Sequence, residues 1–232
     1  MMAMRPLGVI DAAAGLMAAS VVLMGAASPA PSPAGSPGAP MTSEQWIAKY
    51  QTAWDALKTY QCTITSREYL NGRVQDRVYV IKVQKPTSVR LDIVGGDGKG
   101  SAAVWQGGDT VNGHQGGFLS IIHLNLNIHN KIATTMRGRT IAQASFGADL
   151  DEIKSIKWKS TDVTVAGERF TMTGVPQDPA QDDGIAKEVM TLGANGLPVE
   201  LTEYDTAGMV ARHEVYTDVQ VDITLPDSTW HT

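Results

Sequence analysis

The stretch YQCTITSREYLNGRVQDRVYVIKVQ, residues 60–84, decides the fold of this chain. It holds two β-rich runs, 60–70 and 73–84, joined by Asn71-Gly72. Asn-Gly between two such runs is the strongest short-range signal for a β-hairpin, because these residues readily adopt positive φ. The second run is apolar on both of its faces, which indicates a strand that is covered on both sides.

Apolar and polar residues continue to alternate after this hairpin. Lys85-Pro86 ends the second strand because proline donates no backbone hydrogen bond, and the next strand runs from Ser88 to Val94. Further strand-like runs cover 101–106, 109–112, 156–165, 169–175, 185–192, 197–204, 209–216 and 219–225. Segment 118–130 fits either a strand or a helix. Sequential hairpins form an antiparallel meander, so we predict one α+β domain with about ten or eleven strands in a strongly curved antiparallel sheet, an incomplete β-barrel.

Two segments have helical spacing instead. Residues 42–58 begin with a capping box formed by Thr42 and Gln45. One face of this helix carries a large apolar stripe made of Trp46, Ile47, Tyr50, Trp54 and Leu57. Residues 140–153 form the second predicted helix, on which we interpret Asp149, Asp151 and Glu152 as a charged, solvated face.

The first forty residues are typical of export. A single Arg5 precedes an uncharged, apolar run at 12–27, and small residues follow it. This pattern favours a cleaved signal peptide over residues 1–30, with an uncleaved inner-membrane anchor as the alternative. Residues 31–41 are rich in Pro, Ala, Ser and Gly and are predicted to be a linker, which leaves 42–232 as the folded domain in the periplasm.

Composition excludes several classes of function. The 232 residues carry a net charge of −5, which argues against a general nucleic-acid binder because such proteins need a basic surface. The one cysteine, Cys62, cannot form an intramolecular disulfide and lies in an alternating apolar run, so we expect a buried thiol.

We find no local catalytic motif. The zinc-protease, dithiol and nucleophile-elbow patterns are absent, and the Gly-rich run 95–101 lacks the spacing of a phosphate loop. His123 and His129 would share a face of a strand, but no third ligand is near in sequence, so we expect two ordinary imidazoles. We therefore predict no enzyme activity, no cofactor and no metal site.

A curved sheet that helices cover only in part keeps an apolar hollow, and such a hollow can bind a ligand. The candidate lining residues are the apolar members of the alternating strands, Tyr79, Ile81, Val89, Leu91, Ile93, Val189, Val199 and Leu201, together with Trp46, Tyr50 and Trp54 of the first helix. The same residues would equally well fill a closed core, and for the helical tryptophans core packing is the favoured interpretation.

The C-terminal strands carry a family resemblance. Asn195-Gly-Leu-Pro-Val-Glu-Leu201, Tyr204-Asp-Thr-Ala-Gly208, Tyr216-Thr-Asp-Val-Gln-Val221 and Leu225-Pro-Asp227 resemble the corresponding segments of the LolA-like superfamily. The resemblance extends over residues 44–230 and is weakest at 107–150. It implies an incomplete barrel lidded by helices and exported to the periplasm.

The resemblance also implies a function. Carriers of this superfamily take acylated lipoproteins from an inner-membrane exporter to an outer-membrane acceptor, and a related branch holds the sensor domain of an envelope-stress regulator. Carriers have Arg before the proline that is here Pro86, and that Arg helps hold the lid closed; Lys85 is therefore a lid-contact candidate. We expect a monomeric carrier or binding protein for a lipid or acylated lipoprotein, with no nucleic-acid partner, or alternatively an envelope sensor or interaction module.

Overall fold

The computed structural model describes residues 40–117 and 121–232. The predicted signal peptide and residues 31–39 of the predicted linker lie outside the described residues. In the described part of the chain, no helix combines the length and the apolar character needed to cross a bilayer.

In the described residues, eleven strands form one antiparallel sheet. A helix, α1 (Ser43–Ala56), precedes β1 (Thr59–Leu70), β2 (Arg73–Gln84), β3 (Ser88–Gly96), β4 (Ala102–Trp105), β5 (Thr110–His114) and β6 (Leu124–Asn127). A second helix, α2 (Phe146–Ser155), then leads to β7 (Trp158–Ala166), β8 (Arg169–Pro176), β9 (Ile185–Leu192), β10 (Pro198–Asp205) and β11 (Val210–Val221). The predicted α+β class and strand number are confirmed.

The order of strands keeps the sheet open. It runs β6-β5-β4-β3-β2-β1-β11-β10-β9-β8-β7, so β6 and β7 are its two edges. The first and last strands pair at its centre, where Ile64 lies opposite Tyr216. One core cluster draws buried side chains from both helices and from strands on both sides of this central pair. The sheet therefore curves around a shared interior, as a half-barrel does.

The predicted hairpin of β1 and β2 is present in the structure. Leu70 pairs with Arg73 across a two-residue turn. Asn71 and Gly72 have φ values of 51° and 73°, which the turn requires and which most side chains disfavour. The capping box of α1 also forms, because Thr42 accepts from the Gln45 backbone and the Gln45 side chain accepts from the Thr42 backbone.

Two predicted strands are joined in the structure. Run 209–216 and the first part of run 219–225 form one strand, β11, which continues through Asp218 at a φ of 53° and shifts register against β1. Residues 222–225 lie beyond its end and are not in a strand. A bulge can absorb an extra residue without ending a strand, and sequence punctuation does not reveal it. Of the ambiguous segment 118–130, Leu124–Asn127 is a strand and 118–120 lie outside the described residues.

The predicted helix at 140–153 begins later than expected. Residues Ile141–Gln143 form a separate 3-10 turn, and α2 starts only at Phe146. Ser145 is the reason, because its side chain accepts from the Ala148 backbone and restarts the helix. This break separates the turn, which borders the hollow of the sheet, from the helix that fills part of it.

Candidate functional site

Aromatic side chains close one part of the interior. Phe146, at the start of α2, stacks on Tyr60 with ring centroids 4.4 Å apart and meets the Tyr216 ring edge-on at 5.6 Å. The Tyr50 hydroxyl of α1 donates to the Phe146 carbonyl at 2.7 Å, and the Tyr60 hydroxyl accepts from the Phe146 backbone N–H at 3.0 Å. All four rings are buried, so both helices are fixed to the centre of the sheet.

The other part of the interior remains open. A cavity of about 470 Å³ lies over β11 and β1 to β6 and beneath segment 132–144. Its apolar wall consists of Ile64, Tyr79, Leu91, Ile93, Val111, Leu124, Leu126 and Ile141. Lys99 and Ile132 also border it and are both exposed, so the cavity reaches solvent between the β3–β4 turn and segment 132–135.

Small residues make the floor of this cavity. Ala103 on β4 pairs with Leu91 on one side and with Gly113 on the other, and all three line the cavity. A Cβ on Gly113 would collide with the Ala102 carbonyl, so this position tolerates no side chain. The hollow persists because the sequence places residues without bulk where larger residues would have filled the core.

One end of the concave face is polar. Alternate residues of β1 point inward, and after Tyr60, Cys62 and Ile64 come Ser66 and Glu68, all of them buried. In the register of the sheet Glu68 lies between Gln75 and Arg212, and Arg212 lies opposite Glu203. A row of polar side chains therefore crosses the sheet beside the apolar rows.

Two arginines hold the buried acids of this end. Arg212 is 3% exposed and pairs with Glu203, and its Nη1 lies 3.6 Å from Glu214. Arg139, from the segment that crosses the hollow, lies 3.2 Å from Asp149 and 2.8 Å from Glu152. Buried charges are tolerated when they are paired and hydrogen-bonded in this way.

Burial changes the proton affinity of these acids. Loss of solvation raises the pKa of Asp149 to about 7, although Arg139 and Arg212 oppose the shift. Desolvation also raises the pKa of Glu68 and of Glu188. Desolvation acts to raise the pKa of Glu203 as well, but the charge and hydrogen bond of Arg212, together with the charges of Arg139 and Arg137, outweigh it and lower that pKa. Asp149, interpreted from sequence as part of a solvated helix face, is in fact only 5% exposed and borders the cavity.

The structure distributes the predicted binding residues over two regions. Tyr79, Leu91 and Ile93 come together as one wall of the cavity. Ile81 and Val89 lie in the core next to them, at 0% and 2% exposure. The remaining candidates lie outside the cavity and on or near the helix-covered half of the sheet, namely Trp46, Tyr50, Trp54, Val189, Val199 and Leu201.

The reasons for this separation are local. Trp46 donates its indole N–H to the Phe170 carbonyl of β8 at 2.8 Å, and Trp54 packs over Gly147 of α2, so both are used in packing the helices. Val189 alternates with the buried Glu188 and Met190 and so belongs to the opposite face of β9. Cys62 is buried, and desolvation raises the pKa of its thiol.

Lys85 contacts the first helix. Its Nζ donates to the Trp54 carbonyl at 2.7 Å and lies 4.2 Å from the centroid of the Trp54 ring. A cation near the last turn of a helix meets unpaired carbonyls and the negative end of the helix dipole. Lys85 thus ties the end of α1 to the β2–β3 turn.

The polar residues at this end of the cavity were not predicted from the sequence. Arg77, Arg212 and Glu214 all line it. A signal for them exists, since Arg212 and Glu214 are in phase with the inward Tyr216, and Arg77 is in phase with Tyr79. Arg139 carries no such signal because it comes from an irregular segment whose path only the tertiary structure defines.

No protein-family model matches the chain, and no curated protein matches it by sequence. Among solved structures, an uncharacterized conserved protein from Thermus thermophilus matches with a TM-score of 0.50 at 10% identity, over 82% of this chain and 92% of that one.

Two further matches have lower TM-scores. The LolA superfamily protein NE2245 from Nitrosomonas europaea has a TM-score of 0.40 at 10% identity, over 82% of this chain and 98% of that one. The Mycobacterium tuberculosis lipoprotein LppX has a TM-score of 0.45 at 11% identity, over 80% of this chain and 100% of that one. At these identities likeness concerns the fold alone. The open eleven-stranded sheet with two helices is the partly covered half-barrel that the sequence resemblance implied, and the match to the Thermus protein concerns this fold.

Proposed function

We propose that this protein binds a lipid or the acyl chain of a lipoprotein in the cavity beside the aromatic cluster. The observation that carries the proposal is the cavity itself, about 470 Å³ in volume, open to solvent and walled largely by aliphatic side chains. That volume falls within the range of about 300–1,000 Å³ typical of small-molecule sites. A core that served stability alone would have closed this space, because empty apolar volume costs free energy.

Size and energetics favour a single acyl chain as the ligand. Each CH₂ group that leaves water contributes about 0.8 kcal/mol, so burying ten of them gives about 8 kcal/mol before the cost of association is subtracted. The cost of association offsets a large part of this gain, so the bound chain is held reversibly, as a carrier requires. The sensor or interaction module expected as the alternative would act through a protein partner and need no resident acyl chain.

The site of action is proposed from the sequence. A signal peptide at 1–30 would deliver the domain to the periplasm, where a carrier could meet an inner-membrane exporter and an outer-membrane acceptor. Fractionation of cells that express the chain with a C-terminal tag tests this part, since recovery of the tagged protein only in the cytoplasm would contradict it.

Filling the cavity tests the binding proposal directly. Ala103→Phe places a ring on the cavity floor, and Val165→Phe adds the same ring at a side chain on β7 that is 52% exposed. We expect Ala103→Phe to weaken binding of a neutral dodecyl ligand at least about tenfold, because the ring takes the volume of several CH₂ groups, and Val165→Phe to bind normally.

Native mass spectrometry of the exported protein is the second measurement. We expect adducts of lipid mass on the unaltered protein and on Val165→Phe, and their loss on Ala103→Phe. The proposal fails if no acyl ligand binds the unaltered protein, or if Ala103→Phe remains folded by circular dichroism and binds as well as Val165→Phe.

A further inference from the structure

The polar end of the cavity has unused hydrogen-bond donors. The Nε atoms of Arg77 and Arg212 are buried, and neither has a hydrogen-bond partner among the described residues. Both arginines line the cavity, and the Arg212 side chain is only 4% exposed. A buried donor without an acceptor costs free energy, so these two N–H groups are satisfied best when an acceptor enters the cavity.

The acids of the same end are already engaged. Glu214 accepts from Ser66 at 3.0 Å and from the Tyr216 hydroxyl at 2.9 Å. Asp149 accepts from Arg139, and Glu68 accepts from the Arg137 backbone N–H at 3.3 Å. The polar end of the cavity therefore offers a ligand free hydrogen-bond donors rather than free acceptors.

The charges at the polar end also favour an anionic ligand. Arg77 forms no salt bridge with any described residue, whereas Arg139 and Arg212 each pair with two acids. Arg77 pairs with Gly96 in the sheet, next to the turn that places exposed Lys99 at the cavity mouth. Burial also raises the pKa of Asp149 to about 7, which reduces its negative charge near neutral pH, and it raises the pKa of Glu68.

We propose that the cavity selects single-chain amphiphiles with an anionic headgroup, a carboxylate or a phosphate, which Arg77 and Arg212 bind through their free Nε–H groups while the apolar wall holds the chain. This inference rests on the proposed function and adds the chemistry of the headgroup to it. A guanidinium suits both anions because its planar set of donors matches their oxygen atoms.

Three ligands with one chain length test the headgroup. Dodecanoate, dodecyl phosphate and dodecanol share the same tail and differ only in charge and acceptors. Their affinities are measured at pH 8 by displacement of a neutral fluorescent dye. We expect each anion to bind the unaltered protein at least about tenfold more tightly than dodecanol, which corresponds to one charge-assisted hydrogen bond.

Variants assign the preference to Arg77. Arg77→Gln is expected to lower the ratio of anion affinity to dodecanol affinity severalfold, because Arg212 alone then binds the headgroup. Its matched control is Arg67→Gln, an exposed arginine that pairs with Asp76 at 2.6 Å, and it should retain the full preference. The ratio of anion to alcohol affinity is read within each variant, so partial unfolding of a variant cannot imitate the result.

The outcomes separate the two proposals. If dodecanol and both anions bind the unaltered protein equally, or if Arg77→Gln keeps the full preference, the headgroup inference is wrong while binding in the cavity stands. If only one anion is preferred, the headgroup is identified as carboxylate or as phosphate. If no dodecyl ligand binds, the proposed function fails together with the inference.

Discussion

Phe146 offers the sharpest test of how the hollow is divided. Its ring is 1% exposed and lies between Tyr60 and Tyr216 at the start of α2. Replacing it with alanine removes the ring but keeps the backbone N–H and carbonyl that bond to Tyr60 and Tyr50. Phe146→Ala therefore isolates the contribution of the aromatic contacts.

The size of the effect follows from burial. An aromatic side chain buries about 150–250 Å², which at about 25 cal/mol per Å² amounts to about 4–6 kcal/mol. Measured Phe→Ala changes in protein cores fall at about 3–5 kcal/mol because the surroundings relax in part. We expect the free energy of unfolding to drop by about 4 kcal/mol, a large part of the stability of an ordinary domain.

Urea denaturation followed by circular dichroism measures this change. Phe146→Leu serves as a graded control that keeps most of the volume and should lose clearly less, and Val165→Ala, at an exposed position, should stay within about 0.5 kcal/mol of the unaltered protein. A loss below about 1 kcal/mol for Phe146→Ala would refute the view that this ring anchors α2 in the hollow.

Three further changes test other contacts. Gly147→Ala should destabilise the protein by about 1–3 kcal/mol, because the added Cβ would overlap the Trp54 indole. Alanine has the better helix propensity, so a variant that is more stable in thermal or urea unfolding would contradict this packing. Lys85→Met should lower the free energy of unfolding by about 1 kcal/mol, because it removes a charged hydrogen bond to the Trp54 carbonyl and the cation–π contact with the Trp54 ring. Lys85→Arg should lose less, and equal stability of all three proteins would contradict the contact. The pKa of Asp149 is raised to about 7 in the folded protein, whereas in the unfolded chain it is about 4. Between these two pH values the native state therefore binds a proton that the unfolded chain has released. Ionisation of this residue makes the free energy of unfolding fall as pH rises from about 4 to about 7 and level off above 7. The difference in free energy of unfolding between Asp149→Asn and the unaltered protein should therefore shift in favour of the variant across that interval, by a few kcal/mol at about 1.4 kcal/mol per pKa unit. Urea titrations at successive pH values measure this difference. A pH-independent difference would show that the groups facing the carboxylate fully offset its burial, namely Arg139, Glu152, Arg212, Glu214 and Tyr216.

Local patterns determined most of the architecture. The Asn71-Gly72 turn, the two-residue period of the strands and the Thr42 capping box are each set by neighbouring residues, so they could be read from the sequence and are present in the structure. The errors concern features that depend on contacts distant in sequence. The bulge at Asp218 is one, because only its pairing with β1 shows that the strand continues.

The features of the site are likewise of two kinds, those that local sequence sets and those that distant contacts set. Sequence alternation by itself determined that Tyr79, Leu91 and Ile93 share one inward face, and it predicted a hollow behind them. Only the tertiary structure decided which part of the hollow is filled, because Phe146 and the tryptophans of α1 occupy one half of the sheet and Ala103 and Gly113 leave the other half open. Close packing depends on the summed volumes of side chains that meet from distant segments, and the polar end depends on Arg139, which an irregular segment delivers to it. A local period in a sequence does not encode contacts between distant segments. The cavity and the arginines at its polar end are therefore determined by the tertiary structure.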